Sequence, residues 1–371
     1  MNSELKVVWV VGPPINKSGG IGSLFTYAVP CFPNSIKVKF LDTRGYNERA
    51  YYSIVPLTKV LFRLIAARLR NQIDLVHVNV GGGFSLYRKA TVVFLSTRIL
   101  KLPTCIHFHG ADNSHFIFRQ NFLLKRFFLH CINSCDAVIV LGTKTYSEML
   151  EVGVLQSKLK VVRMGVPDLQ RTFQNSEPGL NQVRNSNPII LFAGELGTRK
   201  GLPETLQSLS DQKLQDLNLI VAGSGDFQKW KEIAIQLGVD NRVAFIGLRS
   251  YREIHQYFGV VDALILASKA EGLPVSVMEC FSSGKIPIIN ISGNLMDVAN
   301  NSNSILISKP ITIEIIGALH KFDSLYRSQM FGELSQMSRE TWEKYFNVEK
   351  TTMLLSSLWI NIINQEPINE A

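Results

Sequence analysis

Two glutamates, Glu271 and Glu279, stand eight positions apart in the run Ser268-Lys269-Ala270-Glu271-Gly272-Leu273-Pro274-Val275-Ser276-Val277-Met278-Glu279. Alone, that spacing would mean little, because many helical proteins carry it by chance. Here it follows an apolar stretch, 263–267, that reads as a strand, and it precedes a helix whose first turn suits Pro274, where a missing N–H costs nothing. The first amides of such a helix, near Val275 and Ser276, have no acceptor inside it. Together with the helix dipole they make a site for a diphosphate. Glu279 lies one turn further along the same face, where a carboxylate can accept hydrogen bonds from ribose hydroxyls. Glu271, in the loop ahead of the helix, can reach a sugar beyond the diphosphate.

A departing diphosphate needs fixed positive charge beside it. Arg199 and Lys200 can supply it from the glycine-flexed loop 194–201, which follows another strand. Read as a solvated pair at a helix start they would oppose the helix dipole, which favours the chemical explanation. Gly223-Ser224-Gly225 and Gly247 also close strands in this half. In the other half, Ser18-Gly19-Gly20-Ile21-Gly22 follows the first strand, and its glycines let backbone amides approach a phosphate or a sugar. It is neither GxGxxG nor a Walker A loop. His107-Phe108-His109-Gly110 ends a strand at the carboxyl edge, where α/β sites form. His107 and His109 point the same way, but no third ligand stands at metal-binding spacing. Asp112 is an acceptor-side candidate, and His77 reads as a satisfied sheet histidine.

The elements that must position these groups form two series. In the first, strands at 6–11, 36–41, 75–80, 104–108 and 137–141 alternate with helical patterns from 21 and at 55–71, 86–100 and 116–132. A polar stretch, 168–187, reads as a linker. Strands at 188–193, 217–222, 242–246, 263–267, 286–289 and 304–307 then repeat the rhythm, with a helix from about 203 and a last helical segment over 335–363. Alternating strands and helices mean parallel α/β sheets. The expectation is an acceptor-binding Rossmann-like domain over 1–168, a donor-binding one over 187–345, and a C-terminal helix within 346–371 that crosses back to the first.

Glu271-Gly272-Leu273-Pro274 with Glu279 resembles the signature of the retaining glycosyltransferases of family 4. Val261-Asp262-Ala263, Ser268, Ser283-Gly284, Pro287 and Gly293 fit the same pattern. The resemblance implies a GT-B fold, two Rossmann-like doubly wound domains facing across a cleft. It implies that Glu279 holds the ribose, Glu271 contacts the donor sugar, and His109 with Gly110 marks the active-site histidine. It also gives Gly19 and Gly20 to the donor phosphates, and Gly223 and Gly247 to the base and phosphates. Gly272, Leu273, Pro274, Val275 and Ser276 complete the donor site. Lys200-Gly201 matches the family loop. Glu195 stands where an arginine is usual, Asn294 where a second glycine is usual, and Met164 where an asparagine is usual. The resemblance further implies transfer with retention of configuration. No residue suggests itself as a covalent nucleophile, so a front-face route is expected. No metal or other cofactor is expected.

Bulk properties agree. The chain has 371 residues, 46% hydrophobic and 19% charged, which suits two globular domains. The net charge of +9 is uneven. Residues 1–180 hold 22 Lys+Arg against 10 Asp+Glu, a net +12, and residues 181–371 hold 17 against 20, a net −3. A basic first half attracts phosphates, so a lipid-linked or glycan acceptor and an anionic membrane surface are the expected partners alongside a UDP- or GDP-sugar. Nucleic acid is the poorest reading, because aromatic platforms are missing. No apolar run approaches a membrane span, the start reads as a strand and lacks signal-peptide features, and five scattered cysteines suggest reduced thiols in the cytoplasm. The expected setting is lipopolysaccharide, exopolysaccharide or capsule assembly. The alternatives are a non-catalytic nucleotide-sugar-binding subunit and a nucleotide-sugar epimerase or phosphorylase on the same fold.

Overall fold

Short runs of β-branched and apolar residues, each too brief for a helix, become twelve parallel strands among the described residues. A computed structural model describes residues 5–15, 19–43, 54–83, 85–173 and 187–367. The chain divides into unit 1, Met1–Gly165 with Val348–Ala371, and unit 2, Val166–Asn347.

Unit 1 holds β1 (Lys6–Gly12), β2 (Ile36–Asp42), β3 (Leu75–Val80), β4 (Thr104–Phe108), β5 (Ala137–Val140) and β6 (Leu159–Val161), in the order β2-β1-β3-β4-β5-β6. The helices are α1 (Gly20–Ala28), α2 (Ile54–Leu69), α3 (Ser85–Phe94), α4 (Asn113–Phe118), α5 (Phe122–Asn133) and α6 (Thr143–Val152). β3, β4 and β5 are buried along their whole lengths, as expected of strands covered on both faces. Val76, Val78, Ile106 and Val138 share one core with Leu64, Leu86, Phe128 and Met149.

Unit 2 holds β7 (Ile189–Ala193), β8 (Asn218–Ala222), β9 (Val243–Gly247), β10 (Ala263–Leu266), β11 (Ile286–Asn290) and β12 (Ile305–Ile307), in the order β12-β11-β10-β7-β8-β9. Read from its first strand, that is 3-2-1-4-5-6, the dinucleotide-fold order. Its helices are α7 (Leu169–Phe173), α8 (Leu202–Ser208), α9 (Phe227–Gln236), α10 (Tyr251–Val260), α11 (Val275–Ser282), α12 (Thr312–Tyr326) and α13 (Met330–Tyr345). The last helix, α14 (Val348–Asn364), groups with unit 1.

Several expected elements are corrected. The single helix expected over 116–132 is two, because Asn121 caps α5 by accepting a bond from the Leu124 amide at 3.0 Å. The pattern over 86–100 is α3 continued by a wider turn, in which the Leu100 amide bonds the Leu95 carbonyl five residues back. β6, only three residues long, carries too short a pattern to be read. The segment over 335–363 breaks at Phe346-Asn347. There the Phe346 carbonyl accepts the Val166 amide at 2.9 Å, and Val166 pairs with Asn347. The same contacts place the division between the units at Gly165/Val166 and not at 168. Asp168 pairs with Arg339 at 2.7 Å and the Leu169 amide donates to Ser282 Oγ at 3.0 Å, both within unit 2. α7 thus occupies the start of the stretch expected to be linker, and residues 174–186 of that stretch lie outside the described residues.

Candidate active site

In unit 2, β7 is flanked by β8 on one side and β10 on the other. The chain therefore leaves the two strands in opposite directions, and ligand sites form at the carboxyl ends of strands at such a switch point. The loop after β7 carries Arg199 and Lys200, and the loop after β10 carries Glu271. Lys200 Nζ makes a direct ion pair with Glu271 Oε1, both side chains being largely buried. Arg199 Nη1 lies 3.5 Å from the same oxygen, and Arg199 Nη2 lies 2.8 Å from Glu195 Oε2. Glu195 thus occupies the arginine's usual place and holds the neighbouring cation by its other edge.

Backbone bonds lock this site. The Lys269 amide donates to the Arg199 carbonyl at 2.9 Å, and the Leu196 amide to the Ser224 carbonyl at 2.7 Å. Gly293 has φ +62°, and a Cβ there would lie 1.8 Å from the Glu271 carbonyl oxygen, so only glycine lets this turn press on the Glu271 loop. Asn294, where a second glycine was expected, earns its amide. Its backbone N–H reaches the Gly272 carbonyl at 3.1 Å and its side-chain Nδ2 the same oxygen at 3.4 Å.

α11 begins at Val275, with Pro274 one residue ahead in an extended conformation (φ −68°, ψ 131°), a shift of one residue from the expected start. The first intrahelical bonds run from the Val277 and Met278 amides to the Pro274 carbonyl. The amides of Val275 and Ser276 therefore precede the helical ladder, as diphosphate binding requires. Ser268 Oγ, at the end of β10, is buried and has no hydrogen-bond partner among the described residues. Glu279 is buried, and its Oε1 lies 3.1 Å from Nε2 of His255 on α10. Sequence reasoning missed His255. It lies 24 residues from Glu279, and no local spacing marks it. The glycines closing neighbouring strands, Gly223 (φ +156°) and Gly247 (φ +77°), adopt backbone conformations that side chains rarely take.

In unit 1, Gly19 (φ +137°) precedes α1 and Gly20 opens it, while Ser18 lies outside the described residues. The His109 amide donates to the Val80 carbonyl at 2.8 Å, and its Nε2 lies 2.8 Å from Asn79 Oδ1. The rings of His107 and His109 are 4.0 Å apart. Burial pushes the His109 imidazole down to about 3, with His77 adding to the effect, and burial lowers His77 to about 4 against the opposing effect of its bond to Asn79 Oδ1. His107 is also lowered, by burial first and its neighbouring histidines second. All three rings are neutral at pH 7. Asp112 is exposed and caps nothing, and Met164 is buried. Among the described residues no group of three or more His, Cys, Asp or Glu could hold a metal ion. All five cysteines are free, and burial raises their thiols, Cys131 to about 11.

Unit 2 therefore brings together Glu271, Lys200 and Arg199, with Gly272, Leu273, Pro274, Val275, Ser276 and Glu279 along one loop and helix. Unit 1 presents His109, Gly19 and Gly20. A family model for glycosyl transferases group 1 matches residues 175–329, and one for Glycosyltransferase Family 4 matches residues 26–169. Mannosylfructose-phosphate synthase of Agrobacterium fabrum is 22% identical over 220 residues, 55% of this chain and 48% of that protein. Lipopolysaccharide 1,6-galactosyltransferase of Escherichia coli K12 is 27% identical over 162 residues, 43% of this chain and 44% of that protein. The chain spans about half the length of the curated relatives it matches. Among solved structures, Anabaena HepE in complex with UDP-glucose superposes with a TM-score of 0.73 at 15% identity, covering 96% of this chain and 99% of that one. The fold is the Rossmann-like, two-domain α/β fold termed GT-B.

Proposed function

The chain belongs to glycosyltransferase family 4, and we propose on that premise that it moves a sugar, with retention of configuration, from a UDP- or GDP-sugar to a glycan or lipid-linked acceptor. The Lys200–Glu271 pair at the unit 2 switch point, beside the opening amides of α11, carries this reading. The diphosphate rests on the Val275 and Ser276 amides, and Glu279, oriented by His255, accepts from the ribose hydroxyls. The bond from the anomeric carbon to the diphosphate oxygen breaks, and one to the acceptor oxygen forms. Lys200 and Arg199 stabilise the charge left on the diphosphate, which can take up the acceptor's proton. Because two cations hold the Glu271 carboxylate, it serves as an electrostatic and positioning group at the sugar, and no covalent sugar–enzyme step is needed. In unit 1, His109 is the group that meets a substrate hydroxyl. Solved relatives with bound UDP and UDP-glucose support a uridine nucleotide.

The acceptor is proposed to be lipid-linked, within surface-polysaccharide assembly at the cytoplasmic face of a membrane. Phe118, Phe122 and Leu123 on α4 and α5 are 64%, 73% and 76% exposed, and Lys125 and Arg126 lie beside them. Exposed apolar side chains with basic ones beside them suit an anionic leaflet. Among the described residues, no helix is long and apolar enough to cross a membrane. Isothermal titration with a panel of UDP- and GDP-sugars, followed by transfer and hydrolysis assays, tests the function. Binding without turnover of any donor would favour the non-catalytic subunit, and donor conversion without acceptor would favour an epimerase. Flotation with anionic liposomes tests the membrane contact, and failure to float at low salt removes it.

A further inference from the structure

His77 on β3 lies at the centre of a buried chain of hydrogen bonds that ends on His109. Its Nδ1 sits 3.1 Å from Nε1 of Trp359 on α14 and 3.2 Å from Sγ of Cys105. An indole N–H can only donate, and burial keeps the Cys105 thiol protonated, so Nδ1 of His77 must be the acceptor. A neutral imidazole carries one proton, so that of His77 is on Nε2, which lies 3.2 Å from Asn79 Oδ1. If Asn79 were turned to present its NH₂ group, both nitrogens of His77 would have to accept, which a neutral ring cannot do. Oδ1 therefore faces the histidines. The same oxygen is 2.8 Å from Nε2 of His109, so His109 also carries its proton on Nε2. Its Nδ1 is buried and left as an acceptor with no partner among the described residues, a polar atom that a substrate hydroxyl would satisfy. Trp359 is itself fixed by stacking on Phe32 at 4.9 Å.

We propose that Trp359, His77 and Asn79 are positioning residues that hold His109 in the Nε2–H tautomer, so that it meets substrate as a neutral hydrogen-bond acceptor through Nδ1. The matching group on the substrate is a hydroxyl, which can donate, and not a phosphate oxygen. This rests on the reading of His109 as a substrate-facing residue, although the tautomer itself does not.

The test is histidine ¹⁵N NMR on the full chain at neutral pH, with transfer kinetics on the same samples. In the native protein His77 and His109 should each show a protonated Nε2 and a bare Nδ1. Asn79→Leu should leave His109 as a mixture of tautomers and lower kcat about tenfold, the worth of one hydrogen bond, with donor KM little changed. If Asn79→Leu does not fold, Trp359→Phe combined with Cys105→Ala removes both donors to His77 and should mix the tautomers of His77. A proton on Nδ1 of His109 in the native protein, or an unchanged single tautomer in the variant that folds, overturns the proposal. An His109→Ala variant with unaltered transfer would remove His109 from the substrate while leaving the relay standing.

Discussion

The two units share a fold and build opposite kinds of site. Unit 2 concentrates charge, with Lys200 and Arg199 converging on Glu271 and Glu195 flanking them. Unit 1 buries three neutral histidines and links two of them, His77 and His109, through the Asn79 amide, with the Trp359 indole bonded to His77. Charge suits a ligand whose own charge changes during reaction, because Coulombic stabilisation at a partly desolvated site is strong and needs no reorganisation. Neutral, directional bonds suit hydroxyls, which must be oriented and not neutralised. Both kinds of site sit on parallel α/β sheets: the charged one on loops at the carboxyl ends of β7 and β10, the neutral one on β3, on β4 and at the carboxyl end of β4.

The contrast can be broken most directly at Glu271. Replacing it with Ala should lower transfer by about three orders of magnitude or more with circular dichroism unchanged, given that single electrostatic groups in active sites reach about that size. A normal rate would remove it from the mechanism. Lys200→Ala should cost about a hundredfold in kcat/KM, and nucleotide affinity should fall as salt is added. Insensitivity to both would show that the charged site is not where the diphosphate binds. The neutral site has its own signature in acid. A histidine in the unfolded chain takes up a proton near pH 6.5, whereas His77 stays neutral down to about 4 and His109 to about 3. Between those values the unfolded state binds more protons, so stability should be full above about pH 6.5 and fall as pH drops, with His77 alone contributing on the order of 3 kcal/mol by pH 4. Urea unfolding across pH 4–8 checks this, and a flat profile would contradict buried neutral rings. The smallest effect is expected at Glu195. Its pair with Arg199 is half-exposed and so worth little. Glu195→Gln should release Arg199 from one of its two carboxylates and tighten nucleotide binding no more than about fivefold by titration calorimetry.

Much of unit 2's site was legible. Glu271, Gly272, Leu273, Pro274 and Glu279 form a contiguous strand–loop–helix passage, and a helix N-terminus follows from chain order alone. Lys200 was legible from chemistry, as a cation in a glycine-flexed loop. Its bond to Glu271, 71 residues away, was not, because it depends on β7 and β10 lying side by side. His255 beside Glu279 and Asn79 beside His109 had no sequence signal, since each is an ordinary polar residue within a regular element. His77 looked like a satisfied sheet histidine and is one, but its partners, Trp359 included, give it a further part to play. Element ends were missed where side chains compete with the helix, as at Asn121, or where a tertiary bond breaks it, as at Phe346.

By itself the sequence determined the strand–helix alternation, the presence of two α/β domains, and which loop carries acid and which carries base, because these follow from local periodicity and residue chemistry. Only the tertiary structure decided the strand order in each sheet and the pairs Lys200–Glu271, His255–Glu279 and Asn79–His109. Each joins residues that are neighbours only once strands and helices have packed. Their energies come from burial and geometry, neither of which spacing along the chain records.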